Sequence, residues 1–212
     1  MNWFLDMCIL IFYSEVGGKN YQKTVNFVEH KKDNAFIICL YVSKDNLPKW
    51  IKRQMAITNL VENKLSNDAY NLEESEDYRL LFPKDKIKLM KLLSIGASVN
   101  DKIKYIENTK RNQDIMFQRI NYFLKNLIDK EVVPIKEIDW DLKSAIFIFT
   151  NNMSDSMTMA SGIQYNQKEN IILLTGDKHD WNEYNIKWVL DSEPHLAKKY
   201  AKIPEIRYIQ KM

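Results

Sequence analysis

Apolar residues along this chain fall into two kinds of run. Short unbroken runs occur at Trp3-Phe4-Leu5, Ala35 to Val42, Ala145 to Phe149 and Ile171 to Leu174, and a last strand, interrupted by Arg207, reads at Ile206 to Ile209. Rich in β-branched and aromatic residues, they suit strands covered on both faces, as in a parallel sheet. Elsewhere apolar residues recur three and four apart. Such spacing predicts helices over Tyr21 to His30, from about Pro48 onward, over Asp85 to Leu93, over Asp101 to Asp129 and over Glu193 to Lys202. Met7 to Tyr13 enters a helix or a turn. After a polar loop, Asp155 begins another helical stretch through Met157, Met159 and Ile163, while the acidic segment Asn67 to Asp77 reads as a loop. Strands alternate with helices at both ends and the middle is helical. That order predicts an α/β fold with a central parallel sheet flanked by helices, and a helical insertion at about residues 67–136.

The chain has 212 residues, 45% hydrophobic and 28% charged, the balance of a globular protein with a packed core. We expect a single domain over residues 1–212, the insertion included. Five glycines and five prolines leave little room for flexible linkers. A net charge of +3 permits an anionic partner without diagnosing one. Cys8 and Cys39 lie inside apolar runs, which fits buried thiols in a reducing compartment better than a disulfide. The apolar N-terminus lacks the basic region and cleavage site of a signal peptide, and Asp6 interrupts it. No stretch approaches the ~20 apolar residues of a membrane helix, so a cytoplasmic protein without membrane association is expected.

Three aspartates change this picture. Asp6 follows Trp3-Phe4-Leu5, Asp155 opens a helix, and Asp177 follows Ile171 to Thr175. In parallel α/β sheets the carboxyl ends of the strands form the ligand crevice, where residues far apart in sequence meet. Three carboxylates there repel one another unless a cation neutralises them, and hard oxygen ligands suit Mg²⁺ or Mn²⁺. Each acid also has a structural role open to it. Asp155 is placed to cap its helix and Asp177 to serve a turn. Asp6 carries a burial cost unless paired or bound.

The same residues give the chain a resemblance to the PIN-domain family of metal-dependent nucleases. Trp3-Phe4-Leu5-Asp6-Met7-Cys8-Ile9-Leu10 is similar to the family's N-terminal signature. Asp155-Ser156-Met157-Thr158-Met159-Ala160 resembles its later acidic helix start, and Leu173-Leu174-Thr175-Gly176-Asp177, with Asp180 beyond, its strand-Thr-x-Asp element. The resemblance covers roughly the first sixty and last seventy residues. It implies a PIN-like three-layer fold and a metal-dependent ribonuclease holding Mg²⁺ or Mn²⁺ on Asp6, Asp155 and Asp177, with Asp180 as a further catalytic acid. Thr175 would orient a carboxylate or water behind them. The fourth metal ligand, an acid after the second strand, matches Asp45 best and Glu62 second.

RNA is the partner this implies. Lys86, Lys88, Lys91, Lys102, Lys104, Lys110, Arg111 and Arg119 offer phosphate contacts from the inserted helices, although the interspersed acids Asp85, Asp101 and Glu107 favour an ordinary solvated surface. Tyr105 and Tyr122 offer stacking or core packing. Two other readings share these residues: a toxin ribonuclease paired with a small antitoxin-like protein, and a non-catalytic PIN-like module that binds RNA or protein. A homodimer is compatible with all three. Gly17-Gly18-Lys19 is not a phosphate loop, because Tyr13 stands where its first glycine belongs.

Overall fold

A computed structural model of the protein describes residues 1–30 and 33–212. In chain order its elements are β1 (Asn2–Leu5), α1 (Met7–Ser14), α2 (Tyr21–Glu29), β2 (Ala35–Cys39), α3 (Leu47–Ser66), α4 (Glu76–Arg79), α5 (Pro83–Ser98), α6 (Lys102–Asn126) and β3 (Lys130–Val132). There follow α7 (Trp140–Thr150), α8 (Met153–Asn166), β4 (Ile172–Thr175), α9 (Glu183–Ser192), α10 (Pro194–Lys199) and β5 (Glu205–Tyr208). A π-helical turn, Val42–Asn46, runs directly into α3. No helix of the described residues is long and apolar enough to cross a membrane.

The chain divides into two compact units, Met1–Leu47 with Arg119–Met212, and Pro48–Gln118 between them. The helical unit therefore begins and ends earlier than the polar loop at Asn67 suggested. The reason is that α3 and α6 are continuous helices whose hydrophobic spacing carries no mark of the boundary.

The first unit is α/β. Its five strands are all parallel, in the order β3-β2-β1-β4-β5. Central β1 pairs Phe4 with Ile37 on one side and with Leu173 on the other. Phe4, Leu5, Phe36, Ile37, Ile38, Cys39, Leu173 and Leu174 are fully buried. This is why the three strands read as unbroken apolar runs. The edges differ. β3 is Lys130-Glu131-Val132, with its two charged residues exposed, a composition that discourages further pairing at a sheet edge and gives no apolar signal. Asp129 secures it, donating its N–H to Phe36 O at 2.8 Å and accepting the Phe36 N–H at 2.7 Å on Oδ2.

Ala145 to Phe149, expected as a strand, lies within α7. Asp139 caps that helix by accepting the N–H groups of Asp141 and Leu142, and Asn151 ends it in the left-handed conformation at φ 45°. With both ends defined, Leu142 and Ile146 face the core while Ile148 is 71% exposed. The continuous apolar run had concealed this helical sidedness. Asp155 consequently follows a helix and a short link, not a strand. Helix α8 lies close on the sheet at Gly162, where a Cβ would come within 2.6 Å of Leu173 Cδ2 and 3.4 Å of the Phe4 ring. The core joins Phe4, Ile37, Leu142, Ile146, Met159, Ile163, Leu173 and Trp181.

The second unit is helical, from Pro48 of α3 through Gln118 of α6. It has its own core of Ala56, Ile57, Leu60, Val61, Leu65, Leu81, Leu89, Leu93 and Ile106. Within it Arg53 pairs with Asp85 at 3.0 Å.

Candidate metal centre

Strand order decides where chemistry collects. From β1 the chain moves outward to β2 and then β3, before crossing to β4 on the far side of β1. The crevice beyond the carboxyl ends of β1 and β4 is thus the topological switch point, the usual ligand site of open α/β sheets. Asp6 follows β1 directly, and Thr175-Gly176-Asp177 follows from the end of β4.

Three carboxylates meet there within 4.8 Å of one another: Asp155, Asp177 and Asp180. The trio expected from sequence was Asp6, Asp155 and Asp177. Asp180 joins the group, and Asp6 stands outside it. Asp6 is 6% exposed and its carboxylate is held by protein donors: Oδ2 accepts the Thr175 hydroxyl and the Cys8 thiol, each at 2.8 Å. Backbone N–H groups of Met7 and Cys8, at the start of α1, add to these. Burial nevertheless raises Asp6 above the usual carboxylate range. Its charge reaches the cluster, being one of those that act on Asp155.

Asp155 sits in the first turn of α8 without capping it. Asn152 is the cap, accepting from Ser154 N and Asp155 N, and its amide donates to Asp155 Oδ2 at 2.6 Å. The structural role open to Asp155 is therefore filled by its neighbour. Burial, then the charges of Asp6, Asp177 and Asp180, push the Asp155 carboxyl up to about 7. The Trp181 N–H opposes that rise. Trp181 is fully buried, and its Nε1 has no acceptor at hydrogen-bonding distance.

Asp177 does serve a turn: Oδ1 accepts the His179 and Asp180 N–H groups at 2.8 and 3.1 Å. That turn is what brings Asp180 back to the cluster. Trp181, anchored in the core with its carbonyl accepting the Tyr208 hydroxyl at 2.6 Å, fixes the far side. His179 is exposed and bonds Asp180 Oδ1 through Nδ1 at 2.7 Å. Thr175 links the acids: its hydroxyl donates to Asp6 and accepts the Asp177 N–H at 3.0 Å.

Asp45 is not among the three. It occupies the π-helical turn after β2, where its charge helps to raise Tyr41, mainly shifted by burial. Tyr41 also hydrogen-bonds Ser154 and feels the Asp155 charge, and Asn46 donates to Ser154 Oγ. The end of β2 therefore borders the first turn of α8. Glu62 belongs to the helical unit, paired with Lys110 at 2.7 Å.

The basic residues divide as well. In the helical unit the Lys86 ammonium sits 4.1 Å over the Tyr78 ring, Lys88 donates to Gln54, and Lys102 lies 3.8 Å from Asp68. Lys91, Lys104 and Arg111 are exposed. Arg119 belongs to the α/β unit, donating from Nε to Tyr13 O at 2.9 Å with its guanidinium 4.4 Å over the Tyr13 ring and 5.0 Å over Tyr21. Sequence reasoning missed Asn152, Trp181, Tyr41 and Cys8. Cys8, two residues after an acid at a strand end, offered the only positional hint.

At 4.8 Å two unit charges repel by about 3.5 kcal/mol at an effective dielectric of roughly 20. A counter-charge therefore favours ionising all three together, and their oxygen donors fit a hard divalent cation. The Trp181 N–H fits the same state, because it favours Asp155 as a carboxylate. Comparison with protein-family models, with curated proteins and with solved structures finds no match to this chain.

Proposed function

We propose that the protein is a metal-dependent ribonuclease of the PIN type, hydrolysing phosphodiester bonds at Asp155, Asp177 and Asp180. The observation that carries the reading is the approach of these three carboxylates to within 4.8 Å at the crevice beyond β1 and β4. Their order along the chain, and the similarity of the segments that bear them to PIN signatures, supply the reaction class.

In this reading Asp155, Asp177 and Asp180 are the ligands of Mg²⁺ or Mn²⁺. Such an ion lowers the pKa of a bound water and steadies charge on the attacking and leaving oxygens. The protein's own groups do the rest by placement. Asn152 orients the Asp155 carboxyl by donating to Oδ2, and the nearby Trp181 N–H favours its ionised form. Thr175 and the Asp177 turn hold the other two acids in register. Asp6, buried and hydrogen-bonded, contributes negative charge that strengthens cation affinity from behind.

The test is cleavage of single-stranded RNA by the pure protein in Mn²⁺, set beside Asp155→Asn. We expect cleavage by wild type, its loss in EDTA, and a fall of at least a hundredfold in the variant. Intact RNA with wild type, together with no Mn²⁺ bound in calorimetry, overturns the reading.

A further inference from the structure

An open groove of about 590 Å³ adjoins the acid cluster within the α/β unit. Its walls come from four separated segments: Cys8 and Phe12 of α1, Lys19 in the loop that follows, Lys178 and His179 after β4, and Gln210 near the C-terminus. Asp177 is shared with the cluster, and the remaining lining contains no acid. Lys19 and Lys178 are exposed, and neither pairs with an acid among the described residues. The volume lies within the range of about 300–1,000 Å³ common to small-ligand sites.

The floor is fixed. Gln210 Nε2 donates to Gly176 O at 2.7 Å. The Phe12 ring is seated so close to Gly176 that a Cβ there would meet Cε2 at 2.3 Å and Cζ at 2.8 Å. A half-buried aromatic ring is thus held in place by the loop that carries Asp177, with two exposed ammonium groups in the same groove.

We propose that this groove receives the nucleotide next to the scissile phosphate of a single-stranded RNA, its base against Phe12 and its phosphate between Lys19 and Lys178. The inference rests on the nuclease reading of the neighbouring acids and names how that site takes its substrate. A phosphodiester chain approaching three carboxylates needs cationic contacts for its flanking phosphates. Lysines supply these without reading sequence. A base reaches an aromatic ring only when it is unstacked, which selects single strands over duplex. An open groove, unlike a closed pocket, lets the rest of the chain continue in both directions.

Binding tests this apart from catalysis. A short fluorescently labelled oligouridine is titrated with the whole protein in Ca²⁺, and again in EDTA, and read by anisotropy. Lys19→Ala with Lys178→Ala is expected to weaken binding about tenfold at low salt. It should also flatten the dependence of log Kd on log salt by about 1.4, at roughly 0.7 for each single-strand phosphate contact. Phe12→Leu, which keeps apolar bulk but loses the ring, should weaken binding of the oligouridine about tenfold. It should leave an abasic oligonucleotide of equal length unchanged. A wild-type salt slope in the double lysine variant overturns the proposal, and so does an equal loss for both probes in Phe12→Leu. The lysines are exposed, so that arm does not depend on folding. Cleavage in Mn²⁺ is scored separately. Expected binding with no cleavage by wild type retains the groove and removes the nuclease reading. Cleavage with binding unaltered in every variant does the reverse.

Discussion

The Thr175 hydroxyl donates to Asp6 Oδ2 at 2.8 Å across 169 residues of sequence. The same oxygen accepts the Asp177 N–H, so one fully buried side chain holds the end of β1 and the loop after β4 in a single register. Thr175→Val keeps the shape and removes both bonds. We expect a stability loss of about 1–2 kcal/mol, from the two lost hydrogen bonds, and a fall in Mn²⁺ affinity of about ten- to a hundredfold. Thr175→Ser should retain most of both. Thermal unfolding and metal titration of the two variants separate the hydroxyl from the methyl group.

Asp155 predicts how stability follows pH. Its carboxyl stands at about 7 in the folded protein against 3.8 for a free group. A raised pKa means that the native state holds the proton more tightly than the unfolded chain. Its stabilising effect is complete below about pH 4 and is lost as pH rises through about 7. Metal-free protein should therefore melt at lower temperature at pH 8 than at pH 5, by several degrees more than Asp155→Asn does. Mn²⁺ should raise the melting temperature strongly at pH 8 and little at pH 5, because binding requires the ionised form. Scanning calorimetry at the two pH values, with and without Mn²⁺, checks both signs.

The acids are not equivalent. Asp180 belongs to the group of three and Asp45 does not. Asp180→Asn should lower Mn²⁺ affinity at least tenfold, while Asp45→Asn should change it less than threefold. Isothermal titration of the two variants decides between them, and a larger loss from Asp45→Asn would make that residue the third ligand.

Asp139 tests the reassignment of Ala145 to Phe149. Burial acts to raise its pKa, but donors from Lys199, Tyr200 and Leu142 outweigh burial and hold the carboxyl at about 2. A depressed pKa gives stability that is present above about pH 4 and lost as pH falls through about 2. Asp139→Ala removes a helix cap and two side-chain partners. At pH 7 it should cost about 2 kcal/mol, or roughly 4–8 °C. The gap between variant and wild type should narrow below pH 3. A strand at these positions would have no use for the cap.

Hydrophobic order alone was enough for β1, β2 and β4. A strand buried on both faces in a parallel sheet must be apolar throughout, and Trp3 to Leu5, Phe36 to Cys39 and Ile172 to Leu174 could satisfy little else. It also marked Asp6, Asp155 and Asp177 as acids standing where such runs end or a helix begins. Edge strand β3 was invisible because an exposed edge rewards Lys130 and Glu131, not apolar residues. Helix α7 was misread because five consecutive apolar residues have no period, and only the Asp139 cap and the left-handed Asn151 supply one. Membership of the acid cluster was a matter of tertiary structure. The Asp177 turn and the buried Trp181 swing Asp180 inward, while Thr175 and Cys8 hold Asp6 behind the others. Position along the chain could nominate those acids. Which carboxylates share a space of 4.8 Å depends on where hydrogen bonds and core packing aim them, and those partners lie up to 169 residues away.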